Sequence, residues 1–158
     1  MRITTLCYIT CGGKTLMMHR TKKKNDENAG KWVGIGGHLE ERESPEDCLI
    51  REVYEESGLC LSSFSFRGIV TFDSDKWGTE YMCLYTAETE ETAVRVCTEG
   101  ELLWVEKERL DSLPMWEGDR IFFDLIKKDA PFFSLKLTYE GDSLVLAVLD
   151  GKVLDFNP

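Results

Sequence analysis

The chain has 158 residues, 42% hydrophobic and 30% charged, a balance that excludes collagen-like, low-complexity and disordered classes. Nineteen basic against 29 acidic residues leave a net charge of −10, which argues against gripping a nucleic-acid backbone through bulk charge. The longest aliphatic run, residues 144–149, falls far short of the roughly 18–20 residues a membrane span needs.

Taken in chain order, residues 4–10 and 15–20 alternate as strands around a Gly12-Gly13 turn, and no apolar stretch of signal-peptide type precedes them. The expectation is a cytoplasmic protein. A polar loop over residues 21–30 carries the Lys22-Lys23-Lys24 run, and a glycine-rich turn is expected around Gly34, Gly36 and Gly37. Residues 45–57 read as a helix: Ser44 suits the N-cap, Pro45 the first turn, Asp47 a capping box, and Gly58 the left-handed stop. Strands follow at 64–72, 80–87 and 102–105, then a helix at 119–128 and a hairpin of 132–139 with 143–149. Without a repeat or linker the chain reads as one domain over 1–158, with helices and strands interleaved in an α/β layered architecture.

Six cysteines without a C-x-x-C pair, mostly in apolar stretches, read as reduced structural thiols. The two histidines share no ligand spacing with them, so zinc is not expected.

Charge is concentrated rather than spread. Residues 40–56 hold eight acids and two bases, six of the ten net negative charges. On a helix Glu52, Glu55 and Glu56 fall at i, i+3 and i+4 and share one face. Carboxylates about 6 Å apart repel by roughly 1–3 kcal/mol per pair, and acids late in a helix also oppose its dipole. Arg51 offsets only part of this. Either the segment is a solvated acidic face, or a hard divalent cation such as Mg²⁺ or Mn²⁺ completes it with substrate phosphates.

The segment 37–59 fits G-x5-E-x7-R-E-U-x-E-E-x-G-U, with U aliphatic, at every fixed position: Gly37, Glu43, Arg51-Glu52-Val53, Glu55-Glu56, Gly58-Leu59. This resembles the signature of the Nudix hydrolases, which cleave a nucleoside diphosphate linked to a further group. The resemblance implies an α/β/α sandwich around a mixed sheet. It also implies metal binding by Glu52, Glu55, Glu56 and the Gly37 carbonyl, with Glu52 orienting or deprotonating the attacking water. Glu43 and Arg51 would brace the loop against the helix, where the plainer reading is an ordinary surface ion pair. Glu99 or Glu101 either adds a carboxylate or belongs to a plain acidic loop. For the phosphates, Arg20 at a strand end is favoured over the lysine run.

Gly30-Lys31-Trp32, the run from Pro114 to Asp119, and Pro131-Phe132-Phe133-Ser134 resemble the MutT-like 8-oxo-dGTP diphosphatases of that family. The implied activity is Mg²⁺-dependent hydrolysis of 8-oxo-dGTP, or a related oxidised purine triphosphate, to monophosphate and pyrophosphate, a sanitation of the nucleotide pool allied to DNA repair. Trp116 would stack on the base and Asp119 would meet its edge, with Trp32 either a pocket wall or a core residue, and Trp116 otherwise a cover for the sheet. The animal enzymes carry a second aspartate where Gly118 stands and an asparagine where Val33 stands. The alternatives are another nucleoside diphosphate derivative, such as a nucleotide sugar or canonical triphosphate, and a non-catalytic nucleotide-sensing module. The partner expected is the nucleotide itself, neither a nucleic-acid polymer nor a membrane, with the chain a monomer or homodimer.

Overall fold

The computed structural model describes residues 1–21 and 26–156. Ten strands form one sheet in the order β10-β9-β8-β5-β6-β1-β2-β3, with β4 on β1 and β7 on β2. The strands are β1 (Arg2–Cys11), β2 (Lys14–His19), β3 (Trp32–Val33), β4 (Ile35–His38), β5 (Phe64–Ser74), β6 (Gly78–Glu88), β7 (Glu101–Glu106), β8 (Phe133–Glu140), β9 (Ser143–Leu149) and β10 (Lys152–Val153). Among the described residues two helices, α1 (Pro45–Ser57) and α2 (Glu117–Lys127), and a 3-10 turn (Lys107–Ser112) accompany the sheet. The sheet is mixed: β1 runs parallel to β6 and β5 to β8, while β1 is antiparallel to β2 and β4.

Alternation along the strands explains the layers. Tyr8 and Met17 face one core, with Leu6 packed against it; Cys7, Ile9, Leu16 and Met18 face a second core on the other side of the sheet. A sheet apolar on both faces needs cover on both. Leu49 and Val53 of α1 close the second core, and Phe122 of α2 lies in the first. The result is a helix–sheet–helix sandwich. Cys7, Cys48, Cys83 and Cys97 are buried. Among the described residues no helix is long and apolar enough to cross a membrane.

Helix α1 spans the expected residues because its ends are set locally. Ser44 Oγ accepts from the Asp47 N–H at 3.1 Å, and Asp47 Oδ2 accepts from the Ser44 N–H at 3.0 Å, a reciprocal cap of about 1 kcal/mol. Gly58, at φ 80°, ends the helix with its N–H on Tyr54 O at 2.8 Å.

The glycine-rich turn expected at 34–37 is instead largely strand. Ile35–His38 pairs with β1, Thr5 opposite Gly37 and Leu6 opposite Gly36. These glycines serve close approach rather than reversal: a Cβ at Gly36 would fall 1.9 Å from Thr5 O. Helix α2 starts two residues before the expected position, with Trp116 as its N-cap.

Candidate active site

A cavity of about 460 Å³ opens on the sheet face beside β1. Gly37, on the strand paired to one edge of β1, and Glu80, on the strand paired to the other, both line it. Glu52 and Glu99 line the Gly37 side, and Trp116 and Asp119 also contribute to the wall.

Arg51 organises the helix end of the site. Its Nε and Nη2 donate to the two oxygens of Glu43, each at 2.8 Å, a planar fork on a carboxylate. Nη2 also reaches His38 O at 3.2 Å, while Glu43 Oε1 accepts from the Glu40 N–H at 2.8 Å. One guanidinium therefore ties the 38–43 loop to α1. The Arg51 hydrogen bond, first, and that of the Glu40 N–H hold the Glu43 carboxyl down to about 2.

The same guanidinium holds Glu52 Oε1 at 2.7 Å and Glu55 Oε2 at 3.4 Å from Nη1. The three acids share a helical face but are not a finished cage: among the described residues no three carboxylate, histidine or cysteine side chains are gathered for an ion as they stand. Glu55 is exposed and Glu56 buried. Glu56 Oε2 has no hydrogen-bond partner among the described residues. Burial, then the adjacent Glu99 carboxyl and the charge of Glu52, push the Glu56 carboxyl up to about 9. A buried oxygen lacking any donor, among repelling carboxylates, fits a hard divalent cation by donor type and by charge.

Glu99 and Glu101 separate cleanly. Glu99 lines the cavity and pairs with Arg20 at 3.0 Å, whereas Glu101 pairs in register with His19 on β7 and is exposed. Arg20 lines the cavity too, but Asp26 at 2.8 Å and Glu99 already occupy its guanidinium. The Lys22-Lys23-Lys24 run lies outside the described residues.

Elsewhere on the cavity wall, Trp116 is 4% exposed, donates from Nε1 to Asn28 Oδ1 at 2.8 Å, and carries Lys31 Nζ 4.2 Å from its ring centroid. Phe72 and Tyr139 meet it edge-to-face. Asp119 is 7% exposed, and its carboxyl accepts no hydrogen bond among the described residues. Burial, with the charge of Glu80 adding, pushes that carboxyl up to about 8. Gly118 is a packing glycine: a Cβ there would lie 2.4 Å from Leu137 Cδ1, and its N–H donates to Tyr139 Oη at 2.8 Å. Val33 lines the cavity. Trp32 does not; it stacks on His19 with centroids 4.6 Å apart and packs against the first core.

Sequence reasoning missed Glu80 and its neighbours Arg2 and Glu27, which line the same cavity. The available signal was register. Glu80 shares the inward face of β6 with Met82 and Leu84, and an acid at an apolar position of a strand is rarely idle.

Comparison with known proteins agrees with this architecture. Residues 1–126 match the NUDIX domain family. An uncharacterised Nudix hydrolase of Bacillus subtilis, YvcI, is 29% identical over 148 residues, covering 90% of each chain. The oxidized purine nucleoside triphosphate hydrolase of Danio rerio is 26% identical over 147 residues, covering 92% of this chain and 91% of its own. Among solved structures, the mutator protein MutT of Bacillus halodurans superposes with a TM-score of 0.83 at 23% identity, covering 96% of this chain and 99% of its own.

Proposed function

The chain belongs to the Nudix hydrolases, enzymes acting on phosphoanhydride bonds, and from that premise we propose that it hydrolyses 8-oxo-dGTP or a related oxidised purine nucleoside triphosphate to the monophosphate and pyrophosphate. The observation that carries this reading is the shared cavity: the Asp119 carboxyl, nine-tenths buried and accepting no hydrogen bond among the described residues, opens on the same space as Gly37 and Glu52. A neutral carboxyl both donates and accepts, which suits the edge of a base, and Trp116 adds an aromatic wall. The similarity to a relative named for oxidised purine triphosphates, over nine-tenths of both chains, supports it. The whole of residues 1–158 acts as one hydrolase domain, in the cytoplasm, on free nucleotides.

Glu52, Glu55, Glu56 and the Gly37 carbonyl would hold Mg²⁺, or Mn²⁺ in its place, with Glu99 as a further carboxylate. When bound, such an ion neutralises phosphate oxygens and lowers the pKa of water. Glu52 would have to turn from Arg51 to reach it, and Glu43, bound in bidentate fashion, keeps the arginine in place meanwhile. In the reaction water adds to one phosphorus of the α–β anhydride, the P–O–P bond breaks at that phosphorus, and the bridging oxygen leaves with the other fragment, giving monophosphate and pyrophosphate. Glu52, at the cavity wall, takes or orients the proton of that water. Arg20, held by Asp26 and Glu99, contacts phosphate only as part of that trio.

A Mg²⁺-dependent turnover panel tests the reading. It compares oxidised and normal purine triphosphates with nucleotide sugars and dinucleoside polyphosphates, run in ¹⁸O water to mark the attacked phosphorus. The expected result is a preference for 8-oxo-dGTP over dGTP. Faster cleavage of the nucleotide sugars or dinucleoside polyphosphates would overturn it.

A further inference from the structure

We infer that Glu80 is a specificity-determining residue that accepts from an amino group on the edge of the base, so that the preferred substrates are purines carrying an exocyclic amine. This rests on the nucleotide reading above and narrows it to one class of base.

Strand pairing sets the position. Arg2 of β1 and Glu80 of β6 are register partners in the parallel ladder, and Thr4 lies two residues further along β1. Side chains two residues apart on a strand share a face, so the three meet on one side of the sheet. The Thr4 hydroxyl donates to Glu80 Oε2 at 3.2 Å, and Arg2 Nη1 lies 3.3 Å from Glu80 Oε1.

Arg2 is committed elsewhere. Its two shortest contacts, each 2.9 Å, go to Glu27 Oε1 and Trp77 O, with a further 3.4 Å contact to Glu27 Oε2. One guanidinium thus faces two carboxylates, Glu27 and Glu80, where Glu80 is only 8% exposed, and burial first, then the charge of Glu27, pushes the Glu80 carboxyl up to about 7. Among the described residues its Thr4 and Arg2 contacts, at 3.2 and 3.3 Å, are long, although a carboxylate oxygen accepts about two hydrogen bonds. Spare acceptor capacity on crowded carboxylates in a buried place is costly unless donors arrive.

Glu80 lines the cavity, and so does Asp119, whose carboxyl feels the charges of Arg120 and Lys31 but accepts no hydrogen bond among the described residues. The charge of Glu80 contributes to the raised pKa of Asp119, so the two sense each other. A ligand edge with adjacent N–H groups satisfies both at once, and a guanine-type base has such an edge in its ring N–H and exocyclic amine. A hypoxanthine-type base lacks the amine.

The test compares 8-oxo-dGTP with 8-oxo-dITP, which differ only in that amine, across wild type, Glu80→Gln and Glu80→Met. Wild type is expected to favour the amine-bearing substrate by about tenfold or more in kcat/KM, the size of effect that follows when a buried acceptor loses its donor. Glu80→Met should bring the ratio to near parity, and Glu80→Gln, which keeps a carbonyl oxygen, should retain an intermediate ratio. Tryptophan fluorescence titration with 8-oxo-dGMP and 8-oxo-dIMP, without added metal, should give the same ordering and does not depend on the hydrolytic glutamates. Should Glu80→Met fail to fold, the Glu80→Gln ratio decides. An unchanged ratio in a folded variant, or parity in wild type with both substrates hydrolysed, overturns the role of Glu80 and leaves the hydrolase reading standing. Hydrolysis of neither substrate by wild type removes the nucleotide reading, and this inference falls with it.

Discussion

Glu52 fills the space that a side chain on Gly37 would need: a Cβ on Gly37 would lie 2.4 Å from Glu52 Cδ and 2.6 and 2.7 Å from its two oxygens. Because Arg51 holds Glu52 at 2.7 Å, moving the carboxylate aside breaks that ion pair. Gly37→Ala is therefore expected to displace Glu52 and lower kcat by about a hundredfold, the usual consequence of misplacing a reacting group by about an ångström. Turnover measured beside thermal unfolding checks it; a variant with wild-type kcat would show that Glu52 need not stand where it does.

The unpartnered oxygen of Glu56 gives a second expectation. Glu56→Gln replaces a buried carboxyl that burial already keeps protonated with a neutral amide of similar shape, so Tm should hold or rise. Turnover with Mg²⁺ should nonetheless fall more than about a hundredfold, because an amide is a poor ligand for a hard cation. Near-normal activity would take Glu56 out of the metal shell.

Asp119 links stability to pH with a definite sign. Its carboxyl, at about 8 in the folded chain, keeps its proton where the unfolded chain, near 3.9, has lost it. The native state then binds more protons, so stability declines as pH rises from about 4 to about 8 and levels off beyond. Asp119→Asn lacks that decline, and its Tm advantage should grow by a few degrees between pH 5 and pH 8.5. Parallel Tm–pH curves for the two proteins would contradict the buried neutral carboxyl.

Glu43 carries the opposite sign. Held by Arg51 down to about 2, it stabilises above its unfolded value near 4.3, and that contribution disappears as pH falls toward 2. Glu43→Gln should be less stable than wild type at pH 6, the gap closing by pH 2.5. At pH 7.5 the same variant should lose turnover, since the Arg51 fork that ties the loop to α1 is halved.

Elements whose limits are set by neighbouring residues were legible in the sequence. Helix α1 is the case in point, because Ser44, Pro45, Asp47 and Gly58 act within a few residues of its ends. Strand β4 was not legible: Gly36 and Gly37 read as a turn until β1 is laid alongside them. The same distance dependence divides the site. The spacing of Glu52, Glu55 and Glu56 is local, but Glu55 turning to Arg51, and Arg20 being occupied by Asp26 and Glu99, depend on where side chains settle. Glu80 was hidden most deeply, since its meaning comes from a register with Arg2, 78 positions earlier in the chain.

Tyr139 belongs to β8, past residue 126 where the family match stops, yet its hydroxyl receives the Gly118 N–H and its ring packs on Trp116. The cavity wall at Trp116 is thus braced by a segment contributing nothing to the glutamate-bearing helix. Substitutions in the terminal hairpin can consequently reshape that wall while the capped helix keeps its own anchoring. The cavity's outline and the placement of the acids are wired through different stretches of one polypeptide.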